Sequence, residues 1–229
     1  MNQQFEQSVS YLSEGALARH RVLRNTYWLL ALSMIPTVIG AWVGVQINFA
    51  ALMGSMVGML LTFAILFGLI FAIQKTKESA TGVAVLLGFT FFMGLTLSGL
   101  ISHTLNYRNG GELIMLAFGG TASILVVMAS IATTSKRDFS SMGKWLVVGL
   151  MVLIVASLAN IFLQIPALFL VVSVMAIGIF SAFILYDVQQ VLNGGETNYI
   201  TATLTIYLDV FNIFVNLLSL LGIFGGERD

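Results

Sequence analysis

Residues 203–222, TLTIYLDVFNIFVNLLSLLG, are long and apolar enough to cross a bilayer, yet they carry Asp209, Asn212 and Asn216. With their neighbours they complete a series, Thr201, Thr205, Asp209, Asn212, Asn216 and Ser219, spaced by 4, 4, 3, 4 and 3. At 3.6 residues per turn that spacing places all six on one stripe of a helix, with Leu, Ile, Val and Phe on most other faces. A polar stripe on an otherwise greasy helix predicts a central position, facing other helices or water rather than lipid. Hydrogen bonding between helices, about 1 kcal/mol per contact, is account enough for the Thr, Asn and Ser members. It is too little for Asp209, because a charge within the membrane costs on the order of 3 kcal/mol on the insertion scale.

The rest of the chain fits this reading. Of 229 residues 58% are hydrophobic and 9% charged, against roughly a quarter charged in a soluble domain. Long uncharged runs of about 20 residues point to spanning helices rather than an outer-membrane barrel. Seven such runs are predicted, at about 26–46, 49–73, 80–102, 113–134, 143–164, 166–190 and 199–224. The expected architecture is an all-α membrane protein of one seven-helix domain, 26–224. A polar cytoplasmic segment, 1–25, precedes it and a short tail, 225–229, follows. The N-terminal residues contain Glu6 and Glu14 and lack the apolar core of a cleaved signal, so the first span is expected to direct insertion. Pro166 suits the first turn of a helix, Asn193-Gly194-Gly195 a helix stop, and Thr197 or Asn198 the cap of the last span.

Basic residues set the orientation. Arg19, Arg21, Arg24, Lys75, Lys77, Lys136, Arg137 and Lys144 fall on one side, and Arg108 and Arg228 on the other. Eight against two predicts a cytoplasmic N-terminus and, after seven crossings, an external C-terminus. Net charge is zero and no basic, aromatic-interleaved patch suggests nucleic acid. Small residues recur at helical spacing: Gly40 and Gly44, Gly54 and Gly58, and Gly119-Gly120 with Ala122 and Ser123. They fit either a dimer face or close packing within one bundle.

The second charge inside a span is Asp187, in ILYDVQQ near the end of the sixth. A tight turn makes the sixth and last spans antiparallel neighbours. Asp187 and Asp209 meet if the first turn or two of the last span lies outside the hydrocarbon. Two carboxyls in hydrogen-bond contact cannot both ionise cheaply, so they would share a proton and titrate as a coupled pair. The same oxygens make a candidate Ca²⁺ site, and two independently satisfied aspartates are the plainer account. Other membrane chemistries fit poorly. The lysines lie at span ends, where none serves retinal. His20 and His103 are too far apart for zinc, and neither makes a Ser–His pair in the membrane. The chain contains no cysteine. An intramembrane aspartyl protease also sets one aspartate on each of two adjacent helices, but its second motif, Gly-x-Gly-Asp, here reads Ile206-Tyr207-Leu208-Asp209.

ILYDVQQVLNGGETNYITATLTIYLDVFNIFVNLLSLLGIFG, together with GFTFFMGLTL and FGGTASILV, resembles the Bax inhibitor-1 (TMBIM) family over nearly the whole chain. LRNTYWLL, ANIFLQIPAL and GGETNYITAT resemble its bacterial branch, which includes modulators of the membrane-anchored AAA protease FtsH. The resemblance implies a non-enzymatic protein of the bacterial cytoplasmic (inner) membrane, with the last helix wrapped by the other six. It also implies that Asp187 and Asp209 form a pH-sensitive latch at the cytoplasmic side of a Ca²⁺ leak path, with no cofactor beyond the ion. Thr205, Asn212, Asn216 and Ser219 would line or support that path. The alternative is a binding protein that modulates a membrane protease through its polar N-terminal segment and cytoplasmic loops. Some bacterial relatives carry an arginine at the end of the second span that pairs with the aspartates. Here FAIQKTKE puts Thr76 there, between Lys75 and Lys77. Either lysine is a candidate counter-charge, although an ammonium does not reproduce a bidentate guanidinium.

Overall fold

Three places in the apolar sequence force the chain to turn. Asn48 and Gln164 adopt φ of 52°, and Gly194 φ of 80°, left-handed conformations that stop a helix. The computed structural model describes the backbone of residues 2–135 and 137–227, with side chains from residue 17 onward. Lys136 and Arg228, counted above toward orientation, and Asp229 of the tail lie outside the described residues.

The described chain forms eight helices and no strand: α1 Asn2–Gln46, α2 Phe49–Met53, α3 Met56–Thr76, α4 Ala80–Leu105, α5 Gly110–Thr134, α6 Met142–Leu163, α7 Pro166–Asn193 and α8 Tyr199–Gly225. Seven of them, α1 from Leu17 onward and α3 to α8, are long and apolar enough to span a bilayer. The chain is a multi-pass membrane protein. Pro166 sits in the first turn of α7, where its missing N–H costs no hydrogen bond.

α1 runs unbroken from Asn2 through the polar N-terminal segment into the first span. One expectation needs correction. The run 49–73 is not one helix. It divides at Gly54-Ser55, where the Ser55 hydroxyl accepts the Gly58 N–H at 3.0 Å and caps α3. A Cβ on Gly58 would lie 2.7 Å from the Met53 Cα, so this small-residue pair serves the local break rather than a helix–helix seam.

Close packing within the bundle accounts for the other pair. Gly40 of α1 lies against the Phe91 carbonyl of α4, and Gly94 of α4 against the Thr37 carbonyl of α1. At Gly44 a Cβ would fall 2.7 Å from that of Ser98. Small residues let the two backbones approach, and dispersion between them supplies the attraction that water supplies in a soluble core. Gly120 of α5 likewise admits Leu217 of α8, whereas Gly119 faces open space.

The last helix occupies the interior. α8 packs against α7, α5, α1, α4 and α3, and Ile200, Ile206, Tyr207, Ile213 and Leu218 are fully buried along it. It is surrounded by five spans rather than six. Among the described residues α6 packs on α7 alone, and its Trp145, Val152, Ile161 and Phe162 are left exposed. A helix apolar on every face loses nothing by meeting lipid on most of them.

Candidate functional site

The α7–α8 connection is built by a short run of polar groups. The Gly195 and Glu196 N–H groups both donate to the Gln190 carbonyl, at 2.8 and 3.1 Å, closing the end of α7. Asn198 then caps α8: its Oδ1 accepts the N–H groups of Ile200 and Thr201 at 2.9 and 3.1 Å. Its Nδ2 donates to the Lys77 carbonyl at 2.9 Å, so the same side chain fastens the α3–α4 turn to the start of α8. Close by, the buried Gln189 side chain receives the Phe139 N–H and donates to the Arg137 carbonyl, holding the α5–α6 loop on α7.

These anchors fix the register of α7 against α8. Asp187 lies six residues before the end of α7 and Asp209 ten residues into α8, so the first turns of α8 lie beyond the level of the pair. The Asp187 carboxyl lies beside the Thr205 hydroxyl and the Asp209 carboxyl. Glu196 is the further acid in its surroundings. Asp209 is 6% exposed. Its Oδ2 is buried, and no N–H or O–H of the described residues reaches it. Two carboxylates offer each other only acceptors, and a neighbouring carboxyl becomes a donor when it carries a proton.

Lys75 is exposed, Lys77 half-buried, and neither forms an ion pair among the described residues. Two carboxylates and one hydroxyl are fewer than the roughly six to eight oxygens that Ca²⁺ takes. No cluster of three or more His, Asp or Glu side chains occurs among the described residues.

Three other stripe residues bond their own helix rather than a neighbour. Asn212 Nδ2 donates to the Leu208 carbonyl at 2.8 Å, Asn216 Nδ2 to the Asn212 carbonyl at 2.8 Å, and Ser219 Oγ to the Val215 carbonyl at 2.7 Å. Thr205 bonds its own helix too, at the Ala202 carbonyl. Thr205 is exposed, and Asn212, Asn216 and Ser219 are half-buried. At the end remote from Asp187, Ser219 lines a cavity of about 200 Å³ with His103, Thr104, Tyr107 and Phe169.

Further hydrogen bonds that tie α8 to other spans lie on its opposite face, at residues the stripe does not include. Thr37 donates to the Ser33 carbonyl at 2.8 Å, and its oxygen takes the Tyr207 hydroxyl at 2.8 Å. Thr203 donates to the Tyr199 carbonyl of its own helix at 2.7 Å and reaches the Thr26 carbonyl of α1 at 3.3 Å. Tyr207 and Thr203 are four residues apart, a signal of a second polar face that the larger apolar surroundings obscure.

The comparisons with known proteins cover this whole architecture. The family described as inhibitor of apoptosis-promoting Bax1 matches residues 19–226. A protein of Escherichia coli K12 named modulator of FtsH protease YccA is 39% identical over 215 residues, covering 94% of this chain and 95% of its own. A protein named inner membrane protein YccA, from Escherichia coli O6:H1, matches to the same identity and coverage. A Vibrio cholerae protein named only as a membrane protein is 36% identical over 210 residues, 92% of each chain. The matched region runs through all seven spans and includes both aspartate-bearing helices, and on that basis the chain belongs to the Bax inhibitor-1 family.

Proposed function

We propose that the chain is a proton-controlled cation leak of the bacterial inner membrane, closed by a proton held between Asp187 and Asp209. The observation that carries this reading is the buried Asp209 Oδ2, which lacks a donor among the described residues and stands beside a second carboxyl. With one proton between them the carboxyls attract and hold α7 on α8. When that proton leaves, two like charges face each other; at 4 Å and an effective dielectric of 20 they repel by about 4 kcal/mol. That is enough to bias a two-state packing of neighbouring helices. Flux therefore rises as pH rises through the titration of the pair. Ca²⁺ enters as cargo, passing oxygens of Thr205, Asn212 and Asn216, and the lysine-rich end faces the cytoplasm. The chain acts without catalysis. The two residues that replace glycines before Asp209 include the fully buried Ile206 and lie beside the fully buried Tyr207, which leaves a substrate strand no approach.

The test is Ca²⁺ release from dye-loaded liposomes between about pH 6 and pH 8. Wild type is expected to release faster at the higher pH, and Asp209→Asn to release slowly throughout. A wild type that passes no Ca²⁺ at any pH sinks the reading, as does a variant with the wild-type profile.

A second role is favoured by the relative named as a modulator of FtsH protease and by the helix that α1 continues ahead of its spanning part. In this reading the N-terminal turns and the loops at the lysine-rich end contact a membrane AAA protease. Deleting residues 1–18 is expected to abolish co-purification with such a protease while leaving ion flux unchanged. Undiminished co-purification of the truncated chain would rule the tail out as the contact.

A further inference from the structure

Among the described residues α6 packs on α7 alone, and beside that contact lies an open cleft of about 540 Å³. Its lining is Ser140, Gly143, Lys144 and Val147 from the α6 side, with Phe183 and Tyr186 from α7. Gly143 makes the cleft possible, because a Cβ there would fall 2.8 Å from the Tyr186 hydroxyl. The composition is graded along the helix axis. Lys144 and Tyr186 bring a cation and a hydroxyl donor to the basic end of the bundle, and Val147 and Phe183 form apolar walls one turn further into the membrane.

Both donors are uncommitted. Neither the Lys144 ammonium nor the Tyr186 hydroxyl has a protein partner among the described residues. The Ser140 hydroxyl is different, since it donates to Asp138 at 2.9 Å. The Ser140 N–H and hydroxyl hold the Asp138 carboxyl below the usual range, so Asp138 stays ionised and keeps that hydroxyl occupied. Next to the cleft Trp145 is 77% exposed, as befits an aromatic side chain at the membrane–water boundary. Val147, Val148 and Met151 continue the exposed apolar surface along α6.

We infer that this cleft is a binding site for an anionic phospholipid of the lysine-rich leaflet. The phosphate accepts from Lys144 and Tyr186, and one acyl chain lies along Val147 and Phe183. Charge selects the occupant: a cation at the interface with an open hydroxyl beside it complements a phosphodiester, and a basic pocket between spans is the setting in which such headgroups bind. The apolar lower half distinguishes a lipid from free phosphate, which would leave those walls empty. The cleft involves neither aspartate of the pair.

Native mass spectrometry of the full chain in detergent, titrated with dioleoyl phosphatidylglycerol or dioleoyl phosphatidylcholine, tests it. Wild type is expected to retain the glycerol lipid in preference to the choline lipid, undisturbed by millimolar inorganic phosphate. Lys144→Ala should weaken retention about fivefold, the contribution of one lysine near an anionic surface. Val147→Trp, which fills the cleft and leaves every charge in place, should weaken it comparably, whereas Arg21→Ala, an exposed cation elsewhere at the same end, should not. Equal retention of the two lipids, wild-type retention by both cleft variants, an equal loss in Arg21→Ala, or displacement by inorganic phosphate would each overturn the site.

Discussion

Asparagine at Asp187, at Asp209, or at both is expected to give three preparations with the same flat pH profile of Ca²⁺ release. The reason is the coupling of the two groups. In the proposed latch a single proton serves both carboxyls, so removing either titratable partner removes the whole pH response, and removing the second changes nothing further. An asparagine amide also donates where the shared proton did, so each single variant keeps α7 on α8 and the leak stays low. Two independent aspartates would behave otherwise: each single variant would retain part of the pH dependence and the double variant would lose the sum. Initial release rates over the range used above, at matched protein incorporation by quantitative blot, decide between these outcomes. Additive losses would reduce the pair to two separately satisfied groups. Because about 1.4 kcal/mol is a tenfold change in an equilibrium, a repulsion of a few kcal/mol makes the wild-type response large enough to separate the cases.

The second large effect concerns folding. Gly94→Val is expected to keep the protein from accumulating in the membrane, or to lower the melting temperature of what does. A Cβ at this position meets the Thr37 carbonyl oxygen and falls 2.9 Å from the Ala41 nitrogen. Both obstacles are backbone atoms of α1, so no rotamer change relieves them, and α1 must move away from α4. Overpacking of this kind costs about 1–3 kcal/mol, and more where backbone has to move. The displacement also disturbs Thr37, which receives the Tyr207 hydroxyl from α8. Gly88→Val, in the same helix at a glycine with nothing within 4 Å of a Cβ, is the control and should leave expression and melting nearly unchanged. Equal losses at Gly88 and Gly94 would mean that valine in α4, not the crossing, is at fault.

The features legible in the sequence were those that break its apolar monotony. Asp187 and Asp209 stand out because charges are rare inside spans, and their coincidence across the turn follows from two short distances along the chain. The stripe beginning at Thr201 indicated a central α8, and Gly194, Asn198 and Pro166 marked helix ends because each changes what the backbone can do. Where the sequence stays apolar it says less. The run through Met53, Gly54 and Met56 gives no hydropathic sign of the break at Ser55, which depends on one side-chain cap. α6 is greasy all round, so nothing in its pattern tells which face meets α7 or that it stands clear of α8. Tyr207 reads as one more core aromatic, since its partner Thr37 lies 170 residues away. The amides of Asn212 and Asn216 suggested bonds between helices, but a donor on a helix always has a carbonyl four residues back within reach, and here the local partner wins.

Asn198 joins two parts of the molecule that the sequence sets far apart. It grips the Lys77 carbonyl with one end of its amide and the first N–H groups of α8 with the other. The α3–α4 turn is therefore a lever whose pivot is the root of the helix that carries Asp209. Traction applied to that turn from outside the membrane is delivered along the α8 axis, three turns from the carboxyl pair. A protein grasping the loop and a proton entering the bundle would thus act on one and the same mechanical element.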